Sequence, residues 1–447
     1  MNRRTAAAIT TLASLAVLST ACSNGSTSSS TAASPTGSLH LPDLHGQNLS
    51  VAAVWTGPEQ QNFLKVIEQF DKLTGAHTTF VPTGDSVSTF LGTKIQGGAA
   101  PDVAFLPQVG VLAQFAKAGW LKPVDPAVDA ALTKNYSSTW KSLGSYDGKQ
   151  YGVYFKASNK STVWYNTKVF DQAGISALPT TWAEFLKVAQ AVSDSGVSPV
   201  AIGGADGWTL TDWFENIYLS QAGPENYDKL TKRQIPWTDP SVAKALTTLG
   251  QLFGKPALIA GGPGGALQTD YPGSVAQAFA DPVKAGLVYE GDFVATNIAQ
   301  ETKAKVGTDA KFFPFPAVDS GKPPVVSGGD AAVALKDGPG AQALLQYLAS
   351  PEAAKIEAQL GGFISPNKSL DLSAYPDDIT RGIAKSLIQS GDSFRFDMSD
   401  QTPGAFGGTK GQGEWKDLQD FLANPSDVAG AQQKLEADAA KAYKNAG

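Results

Sequence analysis

Residues 49–118 read LSVAAVWTGPEQQNFLKVIEQFDKLTGAHTTFVPTGDSVSTFLGTKIQGGAAPDVAFLPQVGVLAQFAKA, and the fold class follows from this stretch. Short apolar segments rich in β-branched residues alternate in it with segments of helical periodicity. Gly75 and Gly119 stand where the first and third helical patterns stop, as glycine commonly does. This alternation predicts βαβ units and a mostly parallel sheet, hence an α/β fold. The predicted strands are 49–55, 78–82 and 103–106, and the predicted helices are 58–74, 87–95 and 109–118.

The strand ends of this stretch predict where a ligand binds. In open parallel sheets, ligands lie beyond the carboxyl ends of the strands. Here those ends are Trp55-Thr56-Gly57, Thr83-Gly84-Asp85 and Pro107-Gln108. Asp85 has an alternative role, because its carboxylate could cap the helix that begins near Ser86.

Further helical patterns follow towards the C-terminus. One begins at Trp182 with Thr180 or Thr181 as its cap, and the others are 341–348, 351–360 and 427–443. The body of about 400 residues is too long for one hydrophobic core, so two lobes are expected.

The N-terminus resembles a secretory signal. Arg3 and Arg4 precede an apolar run that is too short to span a bilayer permanently. The run ends at Cys22, the only cysteine, which predicts a signal peptide over 1–21 and a lipidated Cys22. The segment resembles the lipobox of bacterial lipoproteins, whose cysteine receives the lipid. In that motif leucine usually stands three residues before the cysteine, whereas this chain has Ser19 there. The Ser/Thr/Gly-rich segment after Cys22 predicts a flexible tether over 22–46.

The charge of the chain excludes one class of partner. Removing Arg3 and Arg4 with the signal leaves 33 basic against 41 acidic residues, a net charge of −8. No basic run remains that could follow a phosphate backbone, so nucleic acid is not an expected partner. The rest of the chain has no apolar stretch long enough to span a membrane.

The residues needed for most catalytic sites are missing. The three histidines are His40, His45 and His77, all near the N-terminus. They provide neither a catalytic triad nor a histidine-ligated metal site elsewhere, and the glycine pairs match no dinucleotide or P-loop pattern. We therefore expect no enzyme activity, no cofactor and no metal. Two carboxylates could still form a glycosidase pair, so a secreted glycoside hydrolase remains an alternative.

Aromatic residues interleaved with polar ones point to sugar binding. The segment GWTLTDWF, 207–214, holds two of the nine tryptophans. Sugars stack their C–H faces on aromatic rings and need hydrogen-bond partners at their edges. Trp208 lies in a glycine-flanked segment without periodicity, which favours a loop and a ligand contact. Trp213 fits either a ligand contact or the core, and Trp164 and Tyr165 are expected in the core.

Several segments together resemble a known family. They are VWTGPEQQNF, PDVAFLPQVGVLAQFAKAGWL, KQYGVYFKASNKSTVWYN, GWTLTDWFENIYL with IPWTDP and AGGPGGALQTDY, and SFRFDMSDQTPGAFG, which span about 47–425. The chain is similar to the extracytoplasmic sugar-binding proteins of ABC importers, and within them to the α-glucoside-binding group. In this family the segment KQYGVYFKASNKSTVWYN is the first crossover from one lobe to the other. The crossover usually contains YGVP, whereas this chain has Tyr154 in the place of proline, which affects only the local hinge geometry.

The resemblance implies a fold and a function. The fold is a two-lobed α/β periplasmic-binding-protein-like fold with crossover strands and a ligand cleft between the lobes. The implied boundaries are 47–155 and 312–368 for lobe I, and 156–311 and 369–447 for lobe II. The function is capture of an α-glucoside of the maltose, trehalose or sucrose type and its delivery to membrane permease subunits of an ABC transporter. We expect a monomer held to the cell membrane by its lipid, and a non-sugar solute such as a peptide is a further alternative.

The resemblance also implies a set of sugar contacts. From the first lobe these are Trp55, Glu59, Asp85 and Gln108. The crossover contributes Lys156, the second lobe Trp208, Asp212 and Asp292, and the cleft floor Gly329, Asp330, Arg395 and Asp397. Two alternatives stay open: Arg395 and Asp397 could pair with each other across strands, and Lys156 could be solvated.

Overall fold

The computed structural model of the 447-residue chain describes residues 39–390 and 394–446. The predicted signal peptide over 1–21, Cys22 and most of the tether lie outside the described residues. The predicted tether extends to residue 46, but Leu44 is buried and its amide donates to the Thr74 carbonyl at 2.7 Å. The fold therefore begins before residue 46. None of the helices in the described ranges has the length and apolar character needed to cross a membrane.

The strands of the described ranges form two main sheets and a small hairpin. One sheet has the order β12-β11-β3-β1-β2 with β6 also paired to β11, the other has the order β10-β7-β9-β8, and β4 pairs with β5. We call the parts built around these two main sheets the first and the second lobe. The strands are β1 Asn48–Ala53, β2 His77–Pro82, β3 Val103–Leu106, β4 Ser145–Tyr146, β5 Lys149–Gln150, β6 Gly152–Asn159, β7 Thr162–Asn166, β8 Ser198–Ala201, β9 Ala285–Glu290, β10 Ala310–Pro314, β11 Val326–Ala334 and β12 Arg395–Phe396.

The helices cover the faces of both sheets. Short 3₁₀ turns lie at Pro256–Leu258 and Leu372–Ala374. The α-helices are α1 Gly57–Thr74, α2 Val87–Gln96, α3 Val109–Lys117, α4 Pro126–Asn135, α5 Ser138–Leu143, α6 Thr167–Gln172, α7 Trp182–Asp194, α8 Trp208–Thr231, α9 Pro240–Phe253, α10 Gly262–Ala266, α11 Tyr271–Phe279, α12 Val294–Glu301, α13 Pro339–Leu348, α14 Pro351–Leu360, α15 Asp378–Ser390, α16 Met398–Gln401, α17 Gly404–Gly407, α18 Gly413–Ala423 and α19 Val428–Ala446.

The first lobe has the predicted α/β arrangement. Strand β1 pairs in parallel with β2 on one side and with β3 on the other, as the strand–helix alternation indicates. Helix α1 buries Phe63, Ile67 and Phe70, and it ends at Gly75, whose φ of 76° places it in the left-handed region. Glycine adopts this conformation without steric cost, so the helix stops where the sequence predicts.

The second lobe surrounds a core rich in aromatic residues. Trp213 is 1% exposed, and its ring centroid lies 4.4 Å from that of Tyr289 and 6.3 Å from that of Trp182. Of its two predicted roles the structure therefore shows the core role. Trp164 is also fully buried, and Tyr165 stacks on Phe170 at 4.3 Å.

The chain passes between the two sheets through short connections. Strand β6 belongs to the first sheet and β7 to the second, with only Lys160 and Ser161 between them. The chain returns through 315–325, between β10 and β11. After β12 in the first sheet, Met398 and the helices that follow pack into the core of the second lobe. The lobe boundaries given above remain predictions. The strand pairing places the passages between the sheets at 160–161, at 315–325 and after β12.

Candidate ligand-binding cleft

A cleft of about 360 Å³ lies between the strand ends of the first lobe and the helices of the second. This volume is near the lower end of the range for small-molecule sites. Eight of the twelve predicted contact residues line it, namely Trp55, Glu59, Asp85, Gln108, Lys156, Trp208, Gly329 and Asp330. The predicted edge of the sheet is therefore the edge that faces the cleft.

The loops after β1 and β3 present one ring and one amide. Trp55 is 3% exposed because its ring packs on Phe63 at 4.9 Å and Phe105 at 4.7 Å, so the ring is held rigidly. Gln108 is 5% exposed, and its buried side-chain oxygen has no hydrogen-bond partner among the described residues. A hydroxyl group in the cleft would provide the donor that this oxygen lacks.

Asp85 does not cap the helix that follows it. The N-cap of α2 is Ser86, and no side chain accepts a capping hydrogen bond there. The Asp85 carboxylate instead faces Lys410 at 3.8 Å. Burial, together with the nearby Asp206 carboxylate, raises the pKa of Asp85 above its usual value.

Lys156 is a buried, paired residue rather than a solvated one. It lies on β6, is 5% exposed and forms an ion pair with Glu59. Its ammonium also lies 5.6 Å from the centre of the Trp55 ring. Burial by itself lowers the pKa of Lys156, but the Glu59 and Asp330 carboxylates outweigh it and raise the pKa above its usual value. The side chain therefore carries a fixed positive charge at the cleft.

Gly329 and Asp330 form the cleft floor on β11. They lie opposite Ala157 and Lys156 in the antiparallel pairing with β6. A Cβ added at Gly329 would lie 2.6 Å from the Lys156 carbonyl oxygen, so only glycine fits there. Burial raises the pKa of Asp330 to about 6, and the Lys156 ammonium limits the rise.

Trp208 lines the cleft from the first turn of a helix rather than from the predicted loop. Gly207, with a φ of 84°, is the residue directly before α8. Glycines are also typical of loops, so the sequence around Gly207 predicted a loop where the helix begins. The Trp208 ring lies 5.5 Å from Tyr271 and 6.1 Å from Phe293. These three rings, which we call the aromatic wall, give the second-lobe side of the cleft an apolar face.

Asp212 and Asp397 lie outside the cleft lining and hold Lys160 instead. Both carboxylates are fully buried, and the Lys160 ammonium lies 3.3 Å from Asp212 and donates to Asp397 at 2.6 Å. Asp397 also caps α16 by accepting from the Asp400 amide. Burial by itself raises the pKa of Asp397, but Lys160 outweighs it and lowers the pKa to about 2. Lys160 in turn lies 5.5 Å from the centre of the Trp208 ring, so this cluster contacts the aromatic wall.

Asp292 and Arg395 also lie outside the cleft lining. Asp292 is 2% exposed and accepts from the Asn159 amide at 2.6 Å, which connects the segment after β9 to the end of β6. Burial raises its pKa to about 7. Arg395 forms an ion pair with Asp228 at 2.8 Å, so the structure does not show the alternative pairing of Arg395 with Asp397.

The cleft has further lining residues that the sequence analysis did not single out. Lys160, Asp270 and Tyr271 lie within segments that carried the family resemblance, so their segments were found but their roles were not. Trp415 lies in the first turn of α18 and reaches the cleft only through tertiary packing, and no local pattern marks it. The other missed lining residues with polar or aromatic side chains are Ser158, Asp206, Phe293, Asn297, Glu301, Ser399 and Asp400, whereas Thr56 belongs to a predicted strand end.

The arrangement suits a polyhydroxylated ligand. The aromatic wall offers an apolar face, while carboxylates and amides from both lobes offer hydrogen-bond acceptors and donors. The described part of the chain contains no group of histidine, cysteine and acidic side chains that could hold a metal ion.

Comparisons with known proteins show which family the chain resembles. A profile of the family described as bacterial extracellular solute-binding protein matches residues 56–355. The chain is 34% identical over 388 residues to the osmoprotective compounds-binding protein GgtB of Synechocystis sp., covering 85% of this chain and 90% of the relative. It is 32% identical over 408 residues to the α-glucosides-binding periplasmic protein AglE of Rhizobium meliloti, covering 88% of this chain and 87% of the relative.

Solved structures share the same fold. The bacterial solute receptor AcbH superposes with a TM-score of 0.76 at 23% identity, covering 88% of this chain and 99% of that structure. A chitin oligosaccharide binding protein superposes with a TM-score of 0.76 at 20% identity, covering 90% of this chain and 99% of that structure. The two-lobed α/β fold is thereby established.

Proposed function

Because the chain belongs to the bacterial extracellular solute-binding protein family, and is a sugar-binding component of an ABC transporter, we propose that it captures an α-glucoside and delivers it to the permease. The family resemblance predicted from the sequence is confirmed. The family and its structural neighbours are binding proteins, so this chain is not an enzyme and the glycoside hydrolase alternative is set aside.

The aromatic wall facing carboxylates across the cleft carries the proposal. Trp208, Tyr271 and Phe293 offer stacking for a pyranose ring from one side. Glu59 and Asp330 offer acceptors from the other, and Lys156 between them is fixed by its ion pair. We propose that the predicted residues lining the cleft contact the sugar, and that Asp212 and Asp397 act on it only through Lys160.

The α-glucoside assignment rests on the similarity to AglE along nearly the whole chain. The similarity to GgtB, an osmoprotective compounds-binding protein, favours a second candidate, a small osmoprotective compound, at a similar level of identity. The volume of the cleft is compatible with a ligand of one or two rings in either case. A peptide ligand is the weaker alternative, because the cleft combines aromatic faces with acidic side chains, as a sugar site does.

A panel of ligands tests the proposal. The purified chain without residues 1–21 is mixed in turn with maltose, trehalose, sucrose, β-linked disaccharides, small osmoprotective solutes and peptides. A ligand that binds only the folded state raises Tm by mass action. We expect a shift with one or two α-linked disaccharides and none with β-linked ones. A shift only with small osmoprotective solutes would replace the α-glucoside by the second candidate, and shifts only with peptides would contradict sugar binding by this chain.

Membrane anchoring is proposed from the sequence alone. Cys22 follows an apolar run and would carry the lipid after removal of residues 1–21. We expect Cys22→Ala to release the protein from membranes into the soluble extracytoplasmic fraction, because a protein without its acyl chains loses its membrane affinity. Fractionation with mass spectrometry of the mature N-terminus checks this. An unmodified Cys22 in membrane-bound wild-type protein would contradict it.

A further inference from the structure

Carboxylates outnumber cations along the cleft, and this imbalance bears on which sugars the protein accepts. Among the described residues that line the cleft, the cationic side chains are Lys156 and Lys160. The acidic side chains that line it are Glu59, Asp85, Asp206, Asp270, Glu301, Asp330 and Asp400.

The cations near the cleft are already engaged. Lys156 forms its ion pair with Glu59. Lys160 donates to Asp397 at 2.6 Å and faces Asp212 at 3.3 Å, and both of these acids lie behind the cleft wall. Neither ammonium is available to a negative ligand unless a carboxylate loses its partner, and for Lys160 those carboxylates are buried, which makes the loss costly.

The cation at the rim is engaged as well. Lys410 lies 3.0 Å from Asp206 and 3.8 Å from Asp85. It forms ion pairs with Asp206 and Asp85. Asp270, near the same lysine, interacts with its charge but forms no ion pair among the described residues.

The remaining acids are placed to accept hydrogen bonds. Asp270 is exposed and uses one oxygen to cap α11 by accepting from the Gly273 amide at 2.8 Å. Glu301 is exposed and accepts from the Asn297 amide group at 3.1 Å. A carboxylate has about four acceptor positions, so each of these groups can accept further bonds from ligand hydroxyls.

We propose that the cleft is selective for uncharged sugars and rejects anionic derivatives of the same sugar, with Asp270 and Glu301 as the residues that impose the selection. This inference rests on the proposed sugar-binding function and adds a charge requirement to it. A ligand carboxylate would face several like charges with no free cation beside it, whereas a hydroxyl at the same place would donate to them.

A matched series of ligands tests the inference. The neutral α-glucoside that gives the largest Tm shift is compared with its 6-carboxylate and with the amide of that acid, which has nearly the same size without the charge. At about pH 7.5 a sugar carboxylate is ionised. By isothermal titration calorimetry we expect the carboxylate to bind at least about 50-fold more weakly than the neutral sugar. The amide is expected to bind within about 5-fold of the neutral sugar, since it keeps the hydrogen bonds.

Variants assign the effect to named residues. Asp270→Asn and Glu301→Gln replace exposed side chains, so both variants should fold. We expect the double variant to reduce the ratio of the two affinities at least about 5-fold. Equal binding of the neutral and the carboxylated sugar by the wild type would overturn the inference while leaving the proposed function intact. An amide that binds as weakly as the carboxylate would also overturn it, by assigning the rejection to size. If no neutral sugar binds, the proposed function fails and the inference fails with it.

Discussion

Trp208 combines two features that a sugar platform needs. Its ring is half-buried, so one part faces the cleft, and its other contacts with Tyr271, Phe293 and Lys160 fix its orientation. A rigid ring loses little entropy when a ligand stacks on it, which makes stacking on such residues effective. The energy of sugar binding should therefore depend strongly on this one side chain.

Replacing Trp208 with Ala tests this dependence. We expect sugar affinity to fall by more than about 10-fold, because the stacking surface is lost, while the fold is retained. Titration calorimetry measures the affinity and circular dichroism the Tm. Trp120 is a matched control, since it is also half-buried but packs on Phe115 away from the cleft. Equal affinities for Trp208→Ala and Trp120→Ala would remove Trp208 from the site.

Glu357 provides a test of pH dependence outside the cleft lining. It is 3% exposed on α14, and burial raises its pKa from 4.5 to about 8. Between these two values the folded state binds more protons than the unfolded state, so the free energy of unfolding falls as pH rises. One oxygen of Glu357 has no hydrogen-bond partner among the described residues, so its charged form is poorly stabilised.

We expect Glu357→Gln to raise the free energy of unfolding by about 2 kcal/mol at about pH 9 and to change it little at about pH 4. Urea unfolding at several pH values measures this difference. Glu352→Gln on the same helix is the control, since Glu352 is exposed. If the Glu357→Gln variant is no more stable than wild type at high pH, the fold stabilises the buried Glu357 carboxylate of the wild type and the prediction is wrong.

Among the elements, the segment between α17 and α18 joins the two sides of the cleft. Lys410 in this segment faces Asp206 before α8 and Asp85 after β2. The ion pair with Asp85 spans the cleft, whereas that with Asp206 remains on the second-lobe side. This segment should therefore favour the arrangement in which the two lobes approach each other.

We expect Lys410→Met to weaken ligand binding about 2- to 5-fold at low salt, because an exposed ion pair is worth little. The difference from wild type should shrink as salt screens the pair. Lys416→Met is the matched control, since Lys416 pairs with Asp420 on its own helix and does not reach the first lobe. A loss of affinity that is the same at low and high salt would contradict an electrostatic role for Lys410.

Sequence predicted the regular elements better than it predicted the cleft. Helix α14 was predicted at its observed bounds, and α1 within one residue, because proline starts and glycine stops are local signals. The start of α8 was mistaken for a loop, because a glycine with positive φ can either begin a helix or continue a turn. Asp212 and Asp397 were expected in the cleft, but their burial behind Lys160 depends on packing between distant segments.

On the scale of the whole molecule, contacts between the two lobes indicate the closed arrangement of the lobes that ligand binding should favour. Gln300 of α12 lies 3.4 Å from Asn62 of α1, and the Thr296 hydroxyl donates to the Gly362 carbonyl at 3.1 Å. Because both lobes contribute to the cleft, a sugar between them should favour the state in which these contacts form.

Small-angle scattering tests this closure. We expect the radius of gyration of the protein to decrease when the sugar is added and to remain unchanged with a β-linked disaccharide that does not bind. Trp208→Ala at the same sugar concentration serves as the control for ligand-dependent closure. Identical scattering curves with and without saturating sugar would show that the lobes do not move on binding.

The last helix has a consequence for the order in which the protein forms. Leu435, Ala439 and Ala442 of α19 are buried in the core of the second lobe, beside residues such as Trp213 that lie more than two hundred positions earlier. A ribosome that has made the first 400 residues has therefore not yet supplied one wall of that core. The core of the second lobe therefore cannot be completed before α19 has emerged from the ribosome, so this lobe is expected to fold only after that helix has been made.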